Sequence, residues 1–467
     1  MESRLRSVTE HVERVLALVS PLPVVTLGLA DADGSVLAED MHAAVSVPPF
    51  DSAAMDGYAV RLADLPPGGG SVTLDVTGDV AAGPSDVASD VTSDVTSDGP
   101  GYMAGIGPGQ AVRIMTGAPL PPGADAVIPV EHTSTGGFVA GAPRAEVSVT
   151  LARRQRPHVR RAGEDVRAGQ LLAHAGTEVT AALVGALAAS GTVRVPVRRR
   201  PLVAVISTGS ELVPVGGALG PGQITDSNGP MLAAAARAAG ADVVRLGPAS
   251  DDPAALRAAL DDAVLDGPAA RGGPAAGGGP PVDLIVTAGG VSAGAADVVR
   301  EVLAAPSSAG EDDGGATDVD VATVAMSPGK PQALARWRGV PWLALPGNPV
   351  GAYASFELFA RPAIDRLRGL GVAGEGSPGR GGNAELAMLP QRYPLGRVCR
   401  SLPAAVAWSS PAGKLQVLPV RVSDGAAEPC GSHHALSALA TADGLALVPP
   451  DVEKVRAGDL VQVLMLR

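Results

Sequence analysis

At 467 residues with 46% hydrophobic side chains, the chain can bury several cores, about three at roughly 150 residues per domain. Aromatics supply only 2%, so those cores are built from Val, Leu and Ala, and 60 Gly with 42 Pro stay below the share that marks a low-complexity chain. A formal charge of −12 excludes a general nucleic-acid or acidic-membrane binder; an anionic substrate would need local Arg, backbone N–H groups or a bridging metal. The 36 Lys plus Arg include only three Lys (Lys330, Lys414, Lys454), which reads as genome composition bias and singles out a Lys inside any motif. Cys399 and Cys430 are too few for a disulfide framework and lack metal-ligand spacing, so they read as reduced thiols.

The N-terminus, Ser7 to Ser20, spaces its apolar residues as an amphipathic helix and is stopped by Pro21 and Pro23. Its scattered charges exclude a signal peptide, and no apolar run approaches the roughly 20 residues of a membrane span. A soluble, cytoplasmic protein is expected. From there to about residue 150, short β-like runs such as VTLDV and AVRIM are broken by Gly and Pro, predicting a small β-rich domain. Inside it, Ser85 to Gly99 repeats a polar tetrapeptide and reads as a loop insertion.

After Pro201 the character changes. LVAVIS (Leu202 to Ser207), ADVVRL, VDLIVT, VDVATVAM and PWLALPG are strand-length apolar runs, and helices are expected at Met231 to Ala239, Pro253 to about Leu265, Ala295 to Leu303, and up to Leu370. Apolar strands alternating with helices predict a mostly parallel sheet covered on both faces. The Gly/Ala/Pro stretches at 267–281 and 304–317 read as exposed insertions, and 371–383 as a linker. Beyond it, KLQVLPV, GLALVP and DLVQVLML predict a small C-terminal β-barrel.

Four loops of the α/β region are expected just after strands, where open parallel sheets bind ligands. They are STGSEL (Ser207 to Leu212), TAGGVSAGAAD (Thr287 to Asp297), SPGKP (Ser327 to Pro331) and LPGNPVG (Leu345 to Gly351). Each brings Gly, which lets backbone approach a ligand closely, and a helix N-terminus beside such a loop favours phosphate-like anions. Asp297 starts a helix after the second loop; it is either a helix-dipole contact or a Mg²⁺ ligand shared with substrate phosphates. Glu211, Asp251 and Asp252 sit at similar strand ends, and helix capping ahead of Pro253 is the plainer reading of the Asp pair. GEGSPG (Gly374 to Gly379) matches a dinucleotide fingerprint but follows no strand, and His433 and His434 are adjacent, which suits no metal geometry. No Walker motif is present.

Taken together these motifs resemble the molybdopterin molybdenumtransferase family, which includes bacterial MoeA and the gephyrin E domain. VPPFDSAAMDGYAV (Val47 to Val60) and RIMTGAPLPPGADAVIPVE (Arg113 to Glu131) carry the most specific resemblance. VRRAGEDV (Val159 to Val166), STGSEL, ITDSN (Ile224 to Asn228), GGVSAG-x-x-D, PGKP, PGNPV and GSHHALSALATADGL (Gly431 to Leu445) follow in the family's order. The resemblance implies a linker domain from 1–50 plus 151–200, an inserted β domain at 51–150, a molybdopterin-binding α/β domain at 201–370 and a barrel at 384–467. It also implies an elongated homodimer with the site at the subunit interface.

The implied reaction takes adenylylated molybdopterin and molybdate, cleaves the phosphate–AMP linkage with Mg²⁺ assistance, and leaves molybdenum on the dithiolene. By the same correspondence Asp56, Thr116, Asp165, Glu211, Asp251 and Asp297 are catalytic, with Asp297 and Glu211 holding Mg²⁺. Ser207, Gly209, Gly289, Gly290, Ser292, Gly294, Gly347, Asn348 and Pro349 would bind the substrate. Lys330 and Ser432 would hold molybdate. The adenylyltransferase of the same pathway is an implied partner, and no nucleic acid or membrane is. Several positions depart from the family pattern: Ser52 and Ala53 replace Asn-Ser, Ser327 and Thr323 stand where Lys is frequent, and Gly351 replaces Ser. An expected C-terminal Arg is either Arg397 or Arg400. Two alternatives remain at this point, the smaller molybdopterin adenylyltransferase and a catalytically weak scaffold paralogue, with tungstate as an alternative oxyanion.

Overall fold

The computed structural model describes residues 5–67, 70–83, 105–133, 136–137, 144–149, 158–265, 282–291, 297–304, 315–370, 398–431 and 435–466. The polar repeat, the stretch at 267–281, GEGSPG and its linker, His433 and His434 lie outside them, as does Arg397. Of the expected insertion at 304–317, Ala304 instead ends a helix and Ala316–Thr323 is a strand.

The α/β region is a six-stranded sheet in the order Asp242–Ala249, Leu202–Thr208, Leu284–Ala288, Val340–Leu345, Pro331–Trp337, Ala316–Thr323. The first four strands run parallel, and Pro331–Trp337 alone runs the other way, antiparallel to both Val340–Leu345 and Ala316–Thr323. Their residues are apolar on both faces because both faces are covered. Val203, Val205, Val286 and Leu343 face the helices Asn228–Ala238 and Arg361–Leu367. Ala204, Ile206, Ile285 and Trp342 face Pro253–Leu265 and Val298–Ala304. The N-terminal helix, Val8–Leu18, is capped by Ser7, whose hydroxyl accepts from the Glu10 N–H at 3.1 Å. It turns Val8, His11, Val12 and Val15, spaced at helical period, into the first of these cores.

Residues distant in sequence build the linker region. Val24–Gly28, Arg194–Arg198 and Val36–Leu37 form one sheet, covered by the helix Ala181–Ala189 that Thr180 caps; Leu37, Val179, Leu187, Val195 and Val197 are its core. Arg368 joins this region to the sheet domain. It donates to the carbonyls of Ala239 and Gly34, both at 3.0 Å, and pairs with Glu178 at 3.0 Å. The inserted domain is a five-stranded sheet in the order Ala126–Pro129, Gly57–Val60, Gln110–Ile114, Gly70–Val80, Arg144–Val149.

At the C-terminal end, Leu415–Ser423, Gly444–Val448, Leu460–Met465 and Cys399–Pro403 pair antiparallel in that order. Ala426–Pro429 adds to Leu415–Ser423, and the Ala405 N–H donates to the Ala427 carbonyl at 2.8 Å, drawing the two ends of the sheet together as a small barrel requires. Met326–Ser327 runs parallel to Leu415 and Gln416, so the PGKP loop also docks the α/β domain onto the barrel.

Candidate functional site

Leu202–Thr208 comes first in the chain, and the next two parallel strands, Asp242–Ala249 and Leu284–Ala288, lie on opposite sides of it, so a crevice opens at the ends of Leu202–Thr208 and Leu284–Ala288. A cavity of about 440 Å³ occupies it, lined by Thr208, Gly209, Glu211, Asn228, Asp251, Gly289, Gly290, Asp297, Pro331, Gly347, Asn348 and Pro349, among others. All four expected loops reach this edge. PGKP does so by a route the sequence did not reveal: it precedes an antiparallel strand. The register Ala333 opposite Ala344 brings Pro331 level with the end of Val340–Leu345.

Each wall is held from behind. Asp251 accepts from the Ser210 N–H at 2.9 Å and its own N–H donates to Ser210 Oγ at 2.9 Å, which locks STGSEL to the neighbouring strand end. Asp252 alone caps the following helix, accepting from the Ala254 N–H at 2.9 Å, so the plainer reading of the pair holds for one member. Ser207 is buried below the cavity and donates to Asp226 at 2.8 Å; Asp226 also accepts from the Gly229 N–H at 2.9 Å. Asn348 accepts from the N–H groups of Val350 (3.1 Å) and Gly351 (3.2 Å), so these first-turn donors of the helix are already engaged. Gly289 sits at φ +110°, and a Cβ there would collide with the Thr208 carbonyl oxygen; only glycine lets these two loops meet.

Among the described residues, two buried acceptors in this cavity have no hydrogen-bond partner: Asp297 Oδ2 and Asn228 Oδ1. Glu211, also lining, is exposed. Among the described residues no three His, Cys, Asp or Glu side chains gather to hold a metal alone. Mg²⁺ needs only one or two protein carboxylates when phosphates supply the rest, so an orphaned buried carboxylate oxygen fits that ion.

Asp56, Thr116 and Asp165 do not line this cavity. They belong to a second cluster in which the three N-terminal signatures are stitched together. Ser52–Ala53 pairs with Val159–Arg160, and the Gly117 N–H donates to the Ala53 carbonyl at 2.9 Å. The Asp165 N–H donates to the Val47 carbonyl at 3.1 Å, and Asp51 pairs with Arg161 at 2.6 Å. Asp56 is exposed yet fixed, accepting from the Thr116 N–H at 2.7 Å and hydroxyl at 2.8 Å. Those two donors hold its carboxyl below the usual carboxylate range, the backbone N–H contributing most. Phe50, Met55 and Met115, each next in the chain to a residue of this cluster, are exposed apolar side chains.

Lys330 is exposed, immediately before the lining residue Pro331. Gly351 is buried, and a Cβ there would meet the Gly329 N at 3.3 Å, so position 351 faces the PGKP backbone. Ser292, Gly294 and Ser432 lie outside the described residues. Asn228 is not among the residues the sequence marks, although it closes the motif ITDSN; a polar residue opening a helix at a strand-end crevice is the available signal. Cys399 and Cys430 are both free thiols. Among the described residues no helix is long and apolar enough to cross a membrane.

Comparison with known proteins covers nearly the whole chain. Residues 6–191 match the MoeA N-terminal region (domain I and II), 204–366 a probable molybdopterin binding domain, and 401–466 the MoeA C-terminal region (domain IV). Molybdopterin molybdenumtransferase 2 of Mycobacterium tuberculosis is 39% identical, over 98% of this chain and 99% of its own. Molybdopterin molybdenumtransferase of Bacillus subtilis is 31% identical over 98% and 94%. A crystal structure of the molybdopterin biosynthesis MoeA protein from Pyrococcus horikoshii superposes with a TM-score of 0.69 at 28% identity, covering 99% of this chain and 100% of that one.

Proposed function

Since the chain belongs to the molybdopterin molybdenumtransferase (MoeA) family, and molybdenum transfer in molybdenum cofactor biosynthesis is its activity, we propose that the strand-end cavity holds the phosphate linkage of adenylylated molybdopterin. The carrying observation is the buried, unpartnered Asp297 Oδ2 in a cavity walled by glycine loops. Asp297 and Glu211 would hold Mg²⁺, which supplies positive charge to an otherwise repelled phosphate linkage. Gly209, Gly289, Gly290 and Gly347 let backbone approach that linkage, and Asp251 keeps the first of these loops in place. Water then splits the linkage, releasing AMP and leaving the phosphate on the pterin; no side-chain nucleophile is needed, because positioning and charge neutralisation carry the step.

Lys330, together with Ser432, would hold the molybdate dianion as it approaches the dithiolene. Asp56, Thr116 and Asp165 act on the same substrate from a second copy of the chain. The exposed apolar Phe50, Met55 and Met115, chain neighbours of the cluster that holds the rigid Asp56 carboxylate, support a homodimer covering that region. A cytoplasmic site of action and supply of substrate by the pathway's adenylyltransferase complete this reading. Purified protein given adenylylated molybdopterin should release AMP only when molybdate and Mg²⁺ are both added; release independent of either disproves it.

A further inference from the structure

Asn228 is 6% exposed and opens the helix Asn228–Ala238 on the cavity floor. Its Nδ2 donates to the Gly347 carbonyl at 2.8 Å, which fixes the amide's orientation and leaves Oδ1 as the free atom. Among the described residues that buried oxygen has no hydrogen-bond partner, and neither has Asp297 Oδ2 in the same cavity. Leaving such an acceptor buried and unsatisfied is costly, so two in one small cavity mark a ligand that satisfies both. Both atoms only accept. Facing an anionic phosphate they would repel it, whereas a divalent cation takes amide and carboxylate oxygens alike.

We infer that Asn228 Oδ1 is a neutral ligand to the divalent cation whose anionic ligand is Asp297, and that Asn228 Nδ2 ties this ligand to the Gly347 loop. The inference rests on the proposal that a cation bridges protein and substrate here. Occupation of the cation site would thereby fix ITDSN, the Gly-rich loop and PGNPV against one another, through one side chain that spans them.

The test is Mn²⁺ titration of the full-length protein with AMP present, following the electron paramagnetic resonance of free Mn²⁺. Asn228→Ala should bind Mn²⁺ about tenfold more weakly, the change produced by about 1.4 kcal/mol of lost coordination. Asn228→Asp should bind at least as tightly as the parent, because it keeps an oxygen and adds charge although it cannot donate to Gly347. If Asn228 only props the Gly347 loop, both variants weaken together, and that result overturns the inference. Asp297→Asn, run in parallel, separates the two claims. Loss of Mn²⁺ there with unchanged binding in Asn228→Ala sinks the role of Asn228 alone, and no saturable Mn²⁺ in the parent protein sinks both. Should Asn228→Ala fail to fold, judged by melting without metal, the Asn228→Asp titration decides by its sign.

Discussion

The two clusters of candidate residues differ in how they are built. The strand-end cavity is enclosed by loops of one sheet, and its buried acceptors Asp297 Oδ2 and Asn228 Oδ1 have no donor among the described residues. The N-terminal cluster is open, and its central carboxylate, Asp56, is exposed with its preferred donors already in place. A cavity with unmet acceptors binds something small and charged by itself. A preformed carboxylate on an open, apolar-rimmed face acts only on what another surface brings to it. The difference teaches that the first region can select a ligand alone and the second cannot.

The largest expected effect lies in the cavity. Asp297→Asn should lower AMP release about 100-fold or more, the scale seen when one charge-stabilising group is removed from an active site. Melting should be unchanged or higher, since a buried, unpartnered carboxylate oxygen adds nothing to stability. The check is AMP release against Mg²⁺ concentration; an unchanged Mg²⁺ curve makes Asp297 a helix-dipole residue and erases the contrast between the regions.

The joint between the linker region and the sheet domain sharpens the comparison. Burial pushes the Asp365 carboxyl up to about 6, outweighing the pull of Arg361 and Arg368. The folded protein therefore holds this proton more tightly than the unfolded chain, whose value is 3.8, and stability falls as pH rises from about 4 through 6. Asp365→Asn should then gain about 2–3 kcal/mol at pH 7.5 and nothing below pH 4. Urea unfolding at the two pH values checks it; a gain that is equal at both means the charge on Asp365 is not what limits the joint.

Smaller effects are expected where this chain departs from its family. Ser327→Lys should lower the molybdate concentration for half-maximal AMP release up to about tenfold, since it restores a cation to the loop beside Lys330. Gly351→Ser should do less. Gly351 does not sit at positive φ, but a Cβ there must fit against Gly329 at 3.3 Å. If Ser327→Lys leaves that concentration unchanged or raises it, the oxyanion is held elsewhere.

Much of this arrangement was readable in the residues. Continuous apolar runs such as LVAVIS gave the buried parallel strands because burial on both faces removes alternation, and Pro253–Leu265 formed where expected. Polar and glycine-rich strand ends located Gly209, Gly289, Asp297 and Gly347 in one cavity. Other features depend on contacts that no local pattern records. Pro331–Trp337 is a strand because it pairs with Val340–Leu345, and Ser327 joins the barrel through Gln416. Ser207 looked like a ligand-binding residue but is spent on Asp226, and Asn228 became visible only through the atom it leaves unpaired. The linker helix Ala181–Ala189 was not foreseen, because its Ala/Leu run has almost no amphipathic stripe.

Subunit mixing tests the central claim most directly: that a cavity in one chain and the Asp56 face of another serve one substrate. Asp56→Asn keeps an oxygen for Thr116 and should fold, yet by itself it should be nearly inactive, as should Asp297→Asn. After exchange of subunits, half the dimers carry one site with neither substitution, so AMP release should recover to about a quarter of the parent level. Exchange demonstrated by native mass spectrometry with no recovery of AMP release would contradict the account, and would place both clusters on the same chain's substrate or remove Asp56 from the reaction.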